Sequence, residues 1–166
     1  MNATRRFLVA LAGTEDPALP ERVAQVVGTG GPAVEMTLLH VAETGPRELA
    51  THDPAVRRGP WPTPKRAVIE HRLSDADNAG TAALLTVWHE RFAVALPGIR
   101  ITQLVAQGRP EQEIIVAAER LNADAVILCA RPRIGPTEPG PRSVGHVARF
   151  VVDHSPVPVL LIRRSS

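Results

Sequence analysis

Short apolar runs alternate with amphipathic stretches along the chain, and this alternation limits the possible folds more than any other feature of the sequence. The apolar runs predict buried strands, and the stretches between them predict helices with one apolar face. Parallel strands joined by helices require right-handed crossover connections. The helices of these connections cover both faces of the sheet. The predicted strands are residues 7–12, 34–41, 99–107, 125–130 and 157–162.

This pattern predicts an α/β fold with a five-stranded parallel sheet in the order 3-2-1-4-5 and helices on both faces. In such a Rossmann-like sheet the two halves of the chain lie on either side of the first strand. Ligands bind at the carboxyl ends of the strands, where the strand order reverses. The turns after Ala12, Val41 and Ala130 are therefore the expected binding region.

The longest predicted helix starts near Ser74 or Asp75 and ends before the Pro-Gly pair at residues 97–98. Shorter helices are predicted at residues 21–27 and directly after Gly108-Arg109, where Pro110 is tolerated in the first turn. In the long helix, apolar side chains at helical spacing predict the face that packs on the sheet. These are Leu84, Trp88 and Phe92, with Leu85 and Val87 widening the face.

A last helix is predicted after Ser143, whose hydroxyl is a suitable N-cap. Its apolar face is formed by Val144, Val147, Ala148 and Val151, and a Ser-Pro pair at residues 155–156 ends it.

The 166 residues fit a single domain, residues 1–166, with a proline-rich excursion at about residues 43–72. Proline removes backbone donors and restricts φ, so the excursion disfavours regular structure. Trp61 lies there between two prolines and is either a clip onto the domain or an exposed anchor for a protein partner. Aromatic residues make up only 3% of the chain, so the core is predicted to be aliphatic.

Composition also indicates the cellular compartment of the protein and the classes of partner that it is not expected to bind. No apolar stretch approaches the roughly 20 residues that span a bilayer, and the run at residues 7–12 is too short for a signal peptide. The single cysteine, Cys129, cannot form a disulfide within the chain, which favours the cytoplasm. The net charge of +2 and the scarcity of aromatic residues do not indicate a nucleic-acid surface.

The sequence contains no recognisable catalytic set. No nucleophile elbow, paired carboxylates or Ser-His-Asp order stands out, and the six histidines have no close metal-ligand spacing. His40 is interpreted as a hydrogen-bonded core or pocket-edge group. Cys129 is interpreted as a small buried hydrophobe, with a redox sensor as the alternative.

Four segments together resemble the universal stress protein family. They correspond to the family's first strand and turn, its second strand, the unit of its third helix and fourth strand, and its terminal Ser-Pro and valine-rich strand. The segments are residues 8–15, 38–41, 108–128 and 155–162. Their order and spacing carry the resemblance, which covers nearly the whole chain except the proline-rich excursion.

Some members of that family bind ATP through a loop of the form G-x2-G-x9-G-S/T after the fourth strand. Such a loop presents backbone amides and a helix N-terminus to phosphates. Here Gly135 and Gly145 keep the spacing, whereas Pro132 replaces the first glycine and His146 replaces the Ser/Thr. The acidic residue at the end of the family's first strand is replaced by Ala12.

Two interpretations of this loop remain open. In the first, Gly135 and Gly145 serve turn geometry alone and no nucleotide binds. In the second, arginines and the amides near the helix start hold an anion, and His146 takes the role of the hydroxyl. The site residues that the resemblance implies are Ala12, Val41, Arg131, Arg133, Gly135, Arg142, Ser143, Gly145, His146 and Val147.

The resemblance implies a dimeric regulator or stress-response protein, in some members tuned by adenine nucleotides. The departures in the loop predict that binding of ATP or another adenine nucleotide is weak or absent, and the missing catalytic set predicts a non-catalytic protein. The resemblance also implies pairing of the last strand across a two-fold axis, through Val157, Val159 and Leu161. An apolar edge strand is prone to such pairing. The alternatives are an ATP-binding protein with an arginine-rebuilt loop, an enzyme acting on nucleotide phosphate, and an interaction module that uses the proline-rich segment.

Overall fold

The computed structural model of the protein describes residues 4–28, 33–43, 75–130 and 144–163, with residues 43 and 75–78 described for the backbone alone. The strands are β1 (Arg5–Leu11), β2 (Val34–Glu43), β3 (Arg100–Gly108), β4 (Ala125–Ala130) and β5 (Val159–Arg163). The helices are α1 (Leu19–Val27), α2 (Asp75–Ala95), α3 (Pro110–Arg120) and α4 (His146–His154). The proline-rich excursion and Trp61 lie outside the described residues, apart from residue 43.

The five strands form one parallel sheet in the order β3-β2-β1-β4-β5, which confirms the predicted fold. The central strand β1 pairs with β2 on one side and β4 on the other; Val9, for example, is in register with Leu38 and Ile127. The strand order therefore reverses at β1, and the carboxyl ends of β1, β2 and β4 lie side by side. This position is where a doubly wound sheet binds its ligand.

Alternate side chains of the sheet enter two separate cores, because successive residues of a strand point to opposite faces. One core lies under α1 and α2 and includes Val9 and Phe92, both buried. The other lies under α3 and α4 and includes Leu8 and Val151, both fully buried. Burying a side chain of this size contributes roughly 1.5–3 kcal/mol, so the two cores hold the helices firmly on both faces.

The predicted apolar face of α2 is largely confirmed. Leu85, Trp88 and Phe92 are buried, Leu84 packs against the same core, and the Trp88 and Phe92 ring centroids lie 6.3 Å apart. The prediction that Val87 belongs to this face is wrong, because its side chain is 47% exposed. It precedes Trp88 by one residue, which turns it about 100° around the helix and away from the sheet.

Two predicted boundaries are also wrong. The last helix begins at His146 with Gly145 as its N-cap, so the N-cap lies two residues after the predicted Ser143. Gly145 has φ of 95°, a left-handed value that interrupts the helix before it can extend back to Ser143. The strand β5 begins at Val159, whereas residue 157 was predicted as its start: the Ser155 hydroxyl binds the backbone of Val157 and holds it in a turn.

Within the described ranges, no helix has the length and apolar character that crossing a lipid bilayer requires.

Candidate functional site

A cavity of about 480 Å³ opens at the carboxyl ends of β1, β2 and β4. Its floor is apolar and includes Leu39 and Leu128, and its walls are the turn after β1 and the first turns of α3 and α4. Ala12, Val41 and Ala130, which mark the expected binding region, all line it. The volume lies within the range of cavities that bind small molecules and cofactors.

Five of the ten predicted site residues lie at this cavity: Ala12, Val41, Gly145, His146 and Val147. They come from three separate parts of the chain and meet because α4 packs against α3, β4 and β5, which brings its first turn to the cavity. The other five predicted residues, namely Arg131, Arg133, Gly135, Arg142 and Ser143, lie outside the described residues. Nucleotide binding by any of the ten stays a prediction.

The turn after β1 holds a carboxylate against its own backbone. The amide of Ala12 donates to Glu15 Oε1 at 2.5 Å, and the amide of Gly13 donates to Glu15 Oε2 at 2.8 Å. The turn requires glycine at position 13, where φ is 88° and a Cβ would lie 2.7 Å from Leu84 Cδ1. An acidic group therefore stands beside the end of β1, although residue 12 itself is alanine.

A histidine from β2 forms part of the cavity wall near this turn. His40 Nδ1 lies 2.9 Å from the carbonyl oxygen of Leu11 on the neighbouring strand. A carbonyl oxygen only accepts, so Nδ1 is the donor in this hydrogen bond. The prediction that His40 is a hydrogen-bonded group at the pocket edge is confirmed.

A second carboxylate belongs to the first turn of α3. Glu111 lines the cavity with its side chain only 5% exposed. Its Oε1 lies 2.6 Å from Arg109 Nη2 and 3.7 Å from His146 Nε2. A buried carboxylate needs such partners, because leaving it unpaired is costly. Glu111 thus stands between the N-terminal ends of two helices, and it ties His146 to α3.

Sequence reasoning missed both Glu15 and Glu111. The signal for Glu15 was its place in the turn that follows the first strand, beside a glycine. The signal for Glu111 was an acidic residue directly after Arg109-Pro110, at the start of a helix whose positive dipole end favours acids. Neither position could be recognised as part of a cavity before the turn and the helix were placed on the sheet.

The first turn of α3 carries a second acid, Glu113, that does not line the cavity. Burial raises the pKa of its carboxyl above the usual value of 4.5. The side chain lies over Gly108, where an added Cβ would be 3.0 Å from Glu113 Oε1. Glu113 therefore differs from Glu111 in position, although both stand in the same helical turn.

Cys129 lines the cavity from β4 and also packs against the core under α1 and α2. Its side chain is only half-buried, whereas the sequence interpretation made it a small buried hydrophobe. Among the residues that the structure describes, no three His, Cys, Asp or Glu side chains are grouped closely enough to hold a metal ion.

Solved structures with the same fold include several universal stress proteins. UspA from Lactobacillus plantarum is 24% identical, with a TM-score of 0.61 over 98% of this chain and 100% of that one. A universal stress protein from Archaeoglobus fulgidus in complex with dAMP is 17% identical, with a TM-score of 0.59 over 97% and 98%. A family protein from Arabidopsis thaliana with AMP bound is 19% identical, with a TM-score of 0.60 over 98% and 93%.

Similarity to solved structures at identities below 25% shows a shared fold. The family is assigned from the sequence. No curated protein matches the sequence significantly. The model of the universal stress protein family, however, matches residues 3–163, which is nearly the whole chain. This match agrees with the strand order and with the resemblance of the four segments. The chain belongs to the universal stress protein family.

Proposed function

We propose that this protein is a non-catalytic, cytoplasmic stress-response regulator whose adenine-nucleotide site is degenerate, so that it binds ATP only weakly. The adenine-nucleotide ligand is suggested by the related structures with AMP, dAMP or cAMP bound. The observation that carries the proposal is the contact between His146 and Glu111. The residue at the family's Ser/Thr position faces a carboxylate of its own chain there.

The expected weakness follows from the groups that the loop lacks. Pro132 has no amide hydrogen, and His146 has no hydroxyl. Losing one hydrogen bond to a charged phosphate oxygen costs roughly 1.5–3 kcal/mol. Two such losses lower the affinity by a factor of about 10²–10⁴. A site that would otherwise bind ATP at micromolar concentration becomes a millimolar site.

Calorimetry on the purified full chain tests this proposal. We expect a millimolar Kd for ATP in the wild type, and a gain of about 10²–10⁴ in affinity when Pro132→Gly and His146→Ser are combined, because both lost hydrogen bonds return. His154→Ser, at the opposite end of α4, is the matched control and should leave ATP binding unchanged. A micromolar Kd for the wild type would contradict the proposal, as would measurable release of phosphate from ATP under saturating conditions.

The proposal includes assembly into a homodimer through β5. This strand lies at an edge of the sheet, and the side chains of Val159 and Leu161 are only partly buried. Val157, which was also expected at the interface, lies in the turn before the strand. An apolar edge strand favours association with a second copy.

Sedimentation velocity at micromolar concentration tests the dimer. We expect Leu161→Glu to produce a monomer, because it places a charge beside the two-fold axis. Val105→Glu is the matched control, since Val105 lies on the opposite edge strand β3 and is 42% exposed. Leu161 also packs against the core under α3 and α4, so thermal unfolding of each variant checks that it is folded. A monomeric wild type, or a folded Leu161→Glu dimer, would refute the arrangement.

A further inference from the structure

We infer that the cavity prefers an uncharged nucleoside to its phosphorylated forms, because two carboxylates of the chain occupy backbone amides and the space between two helix N-termini at its wall. The inference rests on the proposed function, which gives the cavity an adenine-containing ligand. It adds the chemical class of that ligand and the two residues, Glu15 and Glu111, that select it.

The first occupied group is the pair of amides after β1. Adjacent backbone N–H groups in a glycine-containing turn form a receptor for anions. Here the amides of Ala12 and Gly13 already donate to the two carboxylate oxygens of Glu15, at 2.5 and 2.8 Å. A phosphate could bind these amides only by displacing a carboxylate that the chain holds in place at high effective concentration.

The second occupied region is the space between the first turns of α3 and α4. Helix N-termini attract anions through their exposed amides and their dipoles. Glu111 stands in this space, with Arg109 at 2.6 Å and His146 at 3.7 Å from the same oxygen. In the described part of the chain, Arg109 and His146 thus both lie beside one buried carboxylate, that of Glu111.

The charge at the cavity wall follows from these contacts. In the described part of the wall, the acids are Glu15 and Glu111, and the only basic side chains are His40 and His146. A nucleotide phosphate brings further negative charge toward two carboxylates, and like charges within a few ångströms repel strongly in a partly dry site. Ribose hydroxyls, in contrast, are donors that a carboxylate accepts well.

The expected affinities therefore fall in the order adenosine, AMP, ATP. Replacing Glu111 with glutamine removes one negative charge from the cavity wall, beside His146. We expect Glu111→Gln to strengthen ATP binding about tenfold or more and to reduce or reverse the preference for adenosine. Glu15→Gln should act in the same direction, because a neutral amide oxygen holds the two backbone N–H groups less tightly.

The experiment is calorimetry of the full chain with adenosine, AMP and ATP, each titrated to about 5 mM without Mg²⁺, so that a millimolar site is well populated. Glu119→Gln is the matched control. It removes the same charge from an exposed position in the last turn of α3, and we expect no change in the ratio of affinities. Thermal unfolding reports whether Glu111→Gln remains folded, and Glu15→Gln provides a second, partly exposed variant if it does not.

The outcomes separate this inference from the proposed function. The inference is supported if the wild type binds adenosine more tightly than ATP and if Glu111→Gln or Glu15→Gln, but not Glu119→Gln, reduces this ratio of affinities. The absolute Kd of ATP does not matter for this outcome. Equal or tighter binding of ATP in the wild type overturns it, as does undetectable adenosine binding or a ratio that Glu111→Gln and Glu15→Gln leave unchanged. Micromolar ATP binding with still tighter adenosine binding would instead refute the degenerate site alone.

Discussion

Gly13 gives the sharpest test of how the turn after β1 is built. Its φ is 88°, and a Cβ at this position would lie 2.7 Å from Leu84 Cδ1, closer than real Cβ contacts. Holding alanine at positive φ costs about 1–2 kcal/mol, which a less flexible unfolded chain offsets by about 0.4–1 kcal/mol. Leu84 Cδ1 is the end of a side chain that can shift, so crowding adds only about 1 kcal/mol, the lower end of the range for an overpacked site. We expect Gly13→Ala to lower the free energy of unfolding by about 1–3 kcal/mol.

A substitution at Gly98 separates the cost of the positive φ from the cost of crowding by a neighbouring side chain. It has φ of 83°, close to that of Gly13, but a Cβ there would meet nothing within 4 Å. Gly98→Ala should therefore lose only the backbone part, about 1 kcal/mol or less. Urea unfolding, analysed at equal m-values, measures both variants. Equal destabilisation of the two would refute the argument that Leu84 crowds the turn after β1.

Two further predictions concern a core residue and a titrating acid. Phe92→Ala should lower the free energy of unfolding by about 3–5 kcal/mol, because the ring is fully buried. On the same helix, Val94→Ala should change it by less than about 0.5 kcal/mol, because Val94 is 83% exposed; comparable effects would contradict the assigned face of α2. Glu113→Gln should raise Tm near pH 7 and have little effect below pH 4.5, the usual pKa of the carboxyl. Burial raises the pKa of Glu113 in the folded state, so ionisation costs stability as the pH rises above that value; a benefit that persists at low pH would refute this cause.

The elements could be predicted because their signals are local. The run at residues 125–130 is an uninterrupted apolar strand, and the structure begins and ends β4 at those residues. The spacing of Leu84, Trp88 and Phe92 predicts one face of a helix, since it follows the helical repeat. Right-handed crossovers then leave few arrangements for such elements, and the order 3-2-1-4-5 is the one found.

The errors arose where a distant or conformational constraint outweighed the local signal. Ser143 is a favourable N-cap residue by type, but the positive φ of Gly145 sets the helix start. Val157 continues an apolar run, but the hydroxyl of Ser155 binds its backbone and delays the strand to Val159. In both cases a hydrogen bond or a dihedral angle decided a boundary that side-chain polarity alone did not indicate.

The sequence by itself determined the fold class, the order of the elements and the edge of the sheet where a ligand would bind. Apolar periodicity and chain connectivity are sufficient for these features, because each depends on neighbours along the chain. Only the tertiary structure decided the character of the cavity. Glu15 and Glu111 are unremarkable acids in the sequence; the first becomes important because Gly13 turns its carboxylate back onto two amides. The second does so because packing of α3 beside α4 brings it to His146, and contacts between residues so far apart in the chain arise only after the helices are placed on the sheet.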